Sequence, residues 1–381
     1  MGKHLLLLGG GHAHLSVLKE AASFRDAGHH VTLASPSDRH YYSGMGPGLL
    51  SGLYAPRECR FNVRAMIENG GGTFIRSRLA SLDPARRVAR LENGMAVGYD
   101  VCSINTGSAV PPSVAGCGRP NVFPVKPIEN LLEAKRRIEA VAELGRTAKV
   151  LVAGGGAAAF ELAGNACALI GCACSETPDI SLAPGGGFLR RFPERVRLLA
   201  HRSLARRGIK IFEGLGVARL EEDRAVLTDG LRVPYDVALL AVGVRPHPDF
   251  SRFGLAVGPH GGLLVDEHLR SASHPDVFGG GDCIDFGPKP LDKVGVYPVR
   301  QNPLLLHNLR AALEERPLAP FSDTSGNYML ILNCGDGRGI LRKGPLAYEG
   351  QTALWLKDRI DRAFMRSFQV SGELEEDDPP A

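Results

Sequence analysis

One pattern occurs twice in this chain, and it limits the fold more than any other feature. Lys3-His4-Leu5-Leu6-Leu7-Leu8 runs into Gly9-Gly10-Gly11-His12-Ala13-His14, and Leu15, Val17, Leu18, Ala21 and Ala22 follow at helical spacing. A short apolar run closed by glycines and continued by helical periodicity predicts a buried parallel strand, a tight turn and a helix. Lys149-Val150-Leu151-Val152-Ala153-Gly154-Gly155-Gly156-Ala157-Ala158-Ala159 repeats it, after a helix expected from Glu129 to about Leu144. The units also end alike. Tyr99-Asp100-Val101-Cys102-Ser103-Ile104 leads to Thr106-Gly107-Ser108, and Tyr235-Asp236-Val237-Ala238-Leu239-Leu240 leads to Gly243. Shared beginnings and ends mark an internal duplication.

A glycine turn that opens a helix presents backbone N–H groups and the positive end of the helix to an anion. The first glycine of such a fingerprint admits the turn, the second lets backbone approach a pyrophosphate, and the third packs helix on strand. Gly9 and Gly11 fill the first two positions in unit one, and His14 takes the third, so close helix packing is not secured there. Gly154, Gly156 and Ala159 fill all three in unit two, with Glu161 two residues on. The second strand of unit one ends at Ser35, where an acid ordinarily holds the ribose, with Asp38 beyond it; that of unit two ends at Ala183 with no acid and is followed by Arg190 and Arg191. A third element, Asp276-Val277-Phe278-Gly279-Gly280-Gly281-Asp282-Cys283, sets a carboxylate after glycines, an arrangement that accepts hydrogen bonds from sugar or ribityl hydroxyls.

These segments predict an α/β fold of two Rossmann-like, ββα-containing three-layer dinucleotide-binding domains, the second inserted in the first, with a small C-terminal α+β module. The expected limits are 1–125 and 256–320 for the first domain, 126–255 for the second, 321–370 for the module and 371–381 for a disordered acidic tail. The length of 381 residues suits more than one core, and 47 glycines suit close approach of backbone to ligands. A net charge of only +4 argues against nucleic acid as a partner. The eight cysteines form no paired CxxC motifs. Cys167, Cys172 and Cys174, with His201 as a remote fourth ligand, lack the spacing of a zinc site, so no metal is expected. No leader-like segment precedes the first strand, and a reducing cytoplasm is the expected compartment, with peripheral attachment to a membrane face as an extension.

Together these motifs resemble the two-dinucleotide-binding-domain flavoproteins of the pyridine nucleotide-disulfide oxidoreductase superfamily. The likeness runs from the first strand to about Phe368 and is nearest the type II NADH:quinone and sulfide:quinone oxidoreductase branch. The segment Tyr41-Tyr42-Ser43-Gly44-Met45-Gly46-Pro47-Gly48-Leu49-Leu50-Ser51-Gly52 is similar to the NADH-dehydrogenase-like domain associated with selenide, water dikinase. The resemblance implies FAD held by Gly9, Gly11, His12, Ala13, Ser35, Thr106, Gly107, Gly281, Asp282 and Val299, and NAD(P)H received by Gly154, Gly156, Ala159 and Glu161. Lys126 and Gln301 would lie near the isoalloxazine, and Cys334 is a candidate near-flavin thiol.

The implied activity is electron transfer from NAD(P)H through FAD to an acceptor, with a quinone expected and NADH or NADPH left open. Two readings stand beside it: oxidation of sulfide or another sulfur or selenium compound through Cys334 or Cys167, and a flavin-binding accessory or sensor protein. Disulfide reduction is disfavoured, because Tyr41, Tyr42 and Met45 occupy the region where that branch places its cysteine pair. The expected partners are a small-molecule substrate and a second copy of the chain. A hairpin is predicted around Gly335-Asp336-Gly337, followed by a helix at 351–368 with Leu356, Ile360, Ala363, Phe364 and Ser367 on one side. That helix either docks on the protein's own flavin domain or meets a membrane; its mixed charge favours docking.

Overall fold

The computed structural model describes residues 2–173, 177–322 and 326–378. The first unit opens with β1 (His4–Leu8), whose residues Leu5 to Leu8 are buried because layers cover both faces of a parallel sheet. A tight turn leads to α1 (Leu15–Lys19), then β2 (His30–Ser35), α2 (Gly46–Ser51), β3 (Thr73–Arg76) and β4 (Val101–Ile104). The second unit contains β5 (Val122–Pro124), α3 (Asn130–Glu143), β6 (Lys149–Ala153), α4 (Ala157–Ala173), β7 (Asp179–Ala183), α5 (Glu194–Ala205), β8 (Lys210–Ile211) and β9 (Val237–Leu240). The chain then returns through β10 (Val277–Gly279) and α6 (Val296–Leu313). It closes with β11 (Leu330–Asn333), β12 (Gly339–Lys343), β13 (Leu346–Gly350) and α7 (Gln351–Phe368).

The two large sheets are parallel and share one plan. Their orders are β10-β4-β1-β2-β3 and β5-β9-β6-β7-β8, so each glycine-terminated strand is central, between the second strand and the Tyr-Asp strand. Gly9 has φ +90° and Gly154 φ +130°. A Cβ would meet the Asn105 carbonyl oxygen at 2.4 Å in one and that of Ala241 at 2.2 Å in the other, so only glycine fits either turn. The first sheet gains β10 from chain that follows the second unit. β5 pairs with β9, so the crossing into the second sheet precedes the limit expected at 126. The two passages between the units run together, Ser108–Ala109 pairing with Arg245–Pro246.

His14, the misfit in the first fingerprint, is fully buried and turns its size to use. Its Nδ1 hydrogen-bonds with the Gly9 carbonyl at 2.7 Å and its Nε2 with Ser103 Oγ at 2.8 Å. The ring therefore braces the turn against β4 where a small residue would simply let the elements touch.

The C-terminal module is a three-stranded antiparallel meander and a helix. Leu332, Cys334, Ile340 and Ala347 join the second unit's core, whereas Met365 joins the first unit's. The helix is rotated from its expected setting. Ala353, Asp361 and Met365 are buried, whereas Ile360 is 43% exposed and Ala363 and Ser367 face solvent. A charged pair sits on the inner face: Lys357 Nζ lies 2.6 Å from Asp361, donates to the Gly44 carbonyl, and Tyr42 OH donates to Asp361. Once its charges are satisfied by hydrogen bonds, such a pair can be buried.

Residues 371–378 are not the disordered tail expected from their composition. Glu373 is buried and accepts from the Asn62 N–H at 3.0 Å; Glu376 meets Arg39 at 2.9 Å and Arg60 at 3.2 Å; Asp378 meets Arg57 at 3.3 Å. The acids look like a solvated run only because their basic partners lie at the other end of the chain. Deleting residues 371–381 leaves the nearly buried Arg60 without its carboxylate and should lower stability by about 2 kcal/mol. Equilibrium unfolding in urea measures this, and an unchanged midpoint would speak for a tail that contributes nothing.

Candidate active site

The site is assembled where both fingerprint strands end and the returning chain arrives. Asn105, which follows β4, lies at its centre. Its N–H donates to Leu8, and its side-chain oxygen would lie 2.5 Å from a Cβ on Gly11 and 2.8 Å from one on Gly281. Gly281 N–H donates to Gln301 Oε1 at 2.8 Å, and Gln301 is buried, so Gln301 holds the backbone beside Asp282. Ala13 is packed under Gly280. Thr106 Oγ1 donates to the His247 carbonyl, and the Gly107 carbonyl accepts from the His247 N–H, which fastens this loop to the second passage between units.

Asp282 and Lys126 meet here from opposite ends of the inserted unit. Lys126 Nζ lies 2.5 Å from Asp282 Oδ2, and Ser108 Oγ bridges them, accepting from Lys126 at 2.9 Å and donating to Asp282 at 2.8 Å. Burial alone would raise the Asp282 pKa, but Lys126 and Ser108 more than offset it and hold the carboxyl below its usual range. It is therefore an anion ready to accept hydroxyl hydrogen bonds.

A ring cluster flanks this pair. His12 Nδ1 and His40 Nε2 share a hydrogen bond of 3.0 Å, and Tyr42 and Phe364 pack over His12 with centroids at 5.2 and 6.4 Å. Burial, with Lys126 nearby, lowers the His12 pKa to about 3, so its ring is neutral. Burial, then His12 and Lys126, also hold His40 well below the usual range. Beyond the rings lie Lys357 and Asp361. Glu161 faces them and not the fingerprint: its carboxylate accepts the Asn333 N–H at 2.8 Å, and burial raises its pKa to about 7.

Sequence reasoning missed Asn105, His40, Lys357 and Asp361. The i,i+4 spacing of Lys357 and Asp361 was an available signal, but Asp358 and Arg362 share it on the same mixed-charge helix, so it did not single out the buried pair. Of the remaining candidates, Gly156 opens to free space, Ala159 is buried under its turn, Ser35 is buried at the end of β2, and Val299 is half-buried in α6. Cys334 is not part of the cluster. It is fully buried in the second unit's core with its pKa pushed by burial up to about 12, and Cys167 is also buried with a raised pKa. Among the described residues no set of three or more His, Cys, Asp or Glu is placed to hold a metal; Cys174 lies outside them.

FAD fits the residues present. His12 Nε2 and Asn105 Nδ2 are buried at the first glycine turn with no hydrogen-bond partner among the described residues. Buried polar atoms in this state call for a polar ligand or water. Residues 3–306 match the family described as pyridine nucleotide-disulphide oxidoreductase. The chain belongs to this family. It is accordingly an FAD-dependent oxidoreductase that works with NAD(P)H. Ferroptosis suppressor protein 1 of Taeniopygia guttata is 24% identical over 348 residues, covering 82% of this chain and 85% of that relative. Among solved structures, NDH2 from Plasmodium falciparum in complex with NADH superposes with a TM-score of 0.80 at 13% identity, covering 98% of each chain. The sulfide:quinone oxidoreductase of Aquifex aeolicus gives 0.79 at 16% identity, covering 97% of this chain and 92% of that one. At those identities the structural likenesses concern the fold.

The buried His14 makes a test of the first turn. Burial lowers its pKa from 6.5 to about 4, offset in part by the Gly9 carbonyl, so the unfolded chain takes up the proton first. Its contribution to stability is complete above pH 6.5 and is lost as the pH falls toward 4. His12 and His40 act with the same sign. His14→Gln should reduce the stability lost between pH 6.5 and 4.5 by about 2 kcal/mol, measured by denaturant unfolding across that range. An unaltered pH profile would contradict the burial of a neutral ring.

Proposed function

We propose that this protein passes electrons from NAD(P)H through FAD to a quinone. The observation that carries the reading is the Lys126–Ser108–Asp282 cluster, set between two dinucleotide units and flanked by His12 Nε2 and Asn105 Nδ2, polar atoms without a partner among the described residues. Bound FAD would supply two-electron chemistry between the donor and the acceptor. Gly9, Gly11, His12 and Ala13 would let backbone reach its pyrophosphate at the start of the helix, with Ser35 toward the ribose. Asp282 would accept ribityl hydroxyls, positioned by Gln301 through Gly281, while Thr106, Gly107 and Val299 border the same cleft. Lys126 would hold positive charge where reduction builds negative charge. Gly154, Gly156 and Ala159 would receive the nicotinamide nucleotide.

The quinone assignment draws support from the acceptor side. Reducing a quinone to a quinol consumes protons, and Glu161, at about 7, exchanges a proton near neutrality. It lies in the field of Lys357 and Asp361, the pair that joins α7 to Tyr42 and Gly44. α7 also exposes Trp355 at 61% and Ile360 at 43%, and the meander exposes Leu346 and Tyr348. We read this strip as a peripheral contact with the membrane that holds the quinone; among the described residues no helix is long and apolar enough to cross a membrane. A sulfur donor acting through Cys334 or Cys167 is less well supported, because a reactive thiol needs access and a lowered pKa, and both residues show the reverse.

The test is anaerobic titration of the flavin-loaded protein with NADH and NADPH, followed by a short-chain quinone. Bleaching of the flavin by a nicotinamide nucleotide and its return on adding quinone are expected. Glu161→Gln should retain FAD and its bleaching but lower quinone-dependent turnover about tenfold or more. Flavin that bleaches and stays reduced in the presence of quinone would direct attention to another acceptor.

A further inference from the structure

The two histidines of the first glycine turn differ in how their protons are settled. His14 Nδ1 meets the Gly9 carbonyl at 2.7 Å. A carbonyl only accepts, so Nδ1 carries the proton and Nε2 accepts from Ser103 Oγ at 2.8 Å. For His12 no such group decides. Its Nδ1 faces His40 Nε2 at 3.0 Å, and a neutral imidazole can give or take that hydrogen bond. Burial foremost, with Lys126 nearby, keeps both rings neutral, so each carries one proton and two arrangements compete. In one, His12 donates from Nδ1 and its Nε2 is bare. In the other, His40 donates from Nε2 and the proton of His12 sits on Nε2.

The choice matters because His12 Nε2 is the far end of the pair. It is buried with no partner among the described residues. Tyr42 and Phe364 pack on the His12 ring with centroids at 5.2 and 6.4 Å, and the Tyr42 hydroxyl is spent on Asp361. Asn105 Nδ2 is unpartnered at the same turn, and an amide nitrogen only donates, so a ligand that satisfies it brings acceptors. FAD does so with its phosphate oxygens, flavin carbonyls and bare ring nitrogens. Facing such atoms, His12 must carry its proton on Nε2, and its Nδ1 must then accept from His40.

His40 is well held for this task. It lies in the strand Arg39–Tyr41, paired antiparallel with Arg60–Asn62, and its ring stacks 6.4 Å from that of Phe61. Glu376 ties the two strands together through Arg39 at 2.9 Å and Arg60 at 3.2 Å.

We propose that His40 is a positioning residue for FAD: it donates its Nε2 proton to His12 Nδ1 and so fixes His12 in the tautomer whose Nε2–H donates to an acceptor atom of the bound cofactor. The inference rests on the placement of FAD at the first turn made above and deepens it.

NMR of the FAD-loaded protein carrying 15N-histidine reads the tautomers, because protonated and bare ring nitrogens differ widely in shift. His12 should show a protonated Nε2 and a bare Nδ1, and His40 a protonated Nε2, the signals being assigned by their loss in His12→Gln and His40→Gln. A proton on His12 Nδ1 in the loaded protein would overturn the proposal. FAD affinity, followed by flavin fluorescence as apoprotein is added, supplies a second arm. His40→Phe keeps a ring against Phe61 but has no donor, and should weaken binding about tenfold; His40→Gln, whose amide N–H can replace Nε2–H, should recover most of the loss. His12→Phe should weaken binding at least as much, and adding His40→Phe to it should cost nothing further, since His40 acts through His12. Equal losses from His40→Phe with and without His12 would mark a role in the fold alone and overturn the proposal. If His12→Phe weakens binding and His40→Phe does not, the role of His40 falls while FAD keeps its place at the turn. If neither does, the placement of His12 at the cofactor falls with it.

Discussion

The structure depends on the close contact between the first glycine turn and Asn105. Its carbonyl lies against Gly9, its side chain against Gly11 and Gly281, and its N–H on Leu8. Three strands that are remote in sequence, β1, β4 and β10, are thereby fixed at one point, and backbone is kept free of side chains where, on the proposed function, a pyrophosphate would approach. A polar side chain with space reserved on two sides is costly in a core unless it has a partner, and its Nδ2 has none among the described residues. The same economy appears in His14, whose ring supplies by hydrogen bonding the adhesion between turn and β4 that a smaller residue would supply by contact.

The insertion of one unit into the other has a chemical result. Lys126 stands at the entrance to the second unit, and Asp282 stands on the chain that returns from it, so neither belongs to a local motif with the other. Only the paired passages of chain between the sheets, with Ser108 on one of them, bring cation and carboxylate to 2.5 Å. A charge pair of this kind is stable under burial because each member is also hydrogen-bonded. It leaves an ionised acceptor and a fixed positive charge together, a combination suited to a cofactor rich in hydroxyls and phosphates.

The sequence made plain those parts of the fold governed by short-range rules. Leu5 to Leu8 and Val150 to Ala153, closed by glycines, show both central strands, and the repeated Tyr-Asp strand shows the duplication. What stayed hidden depended on distant partners. The acids of the last residues look solvated until Arg39, Arg57 and Arg60 are placed beside them, and Lys357 and Asp361 look like an outer face until Tyr42 and Gly44 are seen to receive them. Glu161 shows the opposite failure: its position in the motif suggested the nucleotide, whereas the helix turns it toward Asn333. Cys334 was attractive for its setting among turn residues, but its thiol is packed in the second unit's core.

The order of the chain carries a consequence for how the molecule is made. The second sheet uses one continuous stretch and is complete when Leu240 emerges from the ribosome, whereas the first sheet, begun at His4, lacks its edge until Gly279. Asp282 follows directly, and the module that packs on both cores comes last. During synthesis, then, the second sheet can be finished while the first is still an open sheet with an unpaired strand edge, a form prone to wrong association. A chain shortened before β10 would therefore contain a complete second sheet, still lacking the module residues that fill its core, beside a first sheet without its edge strand.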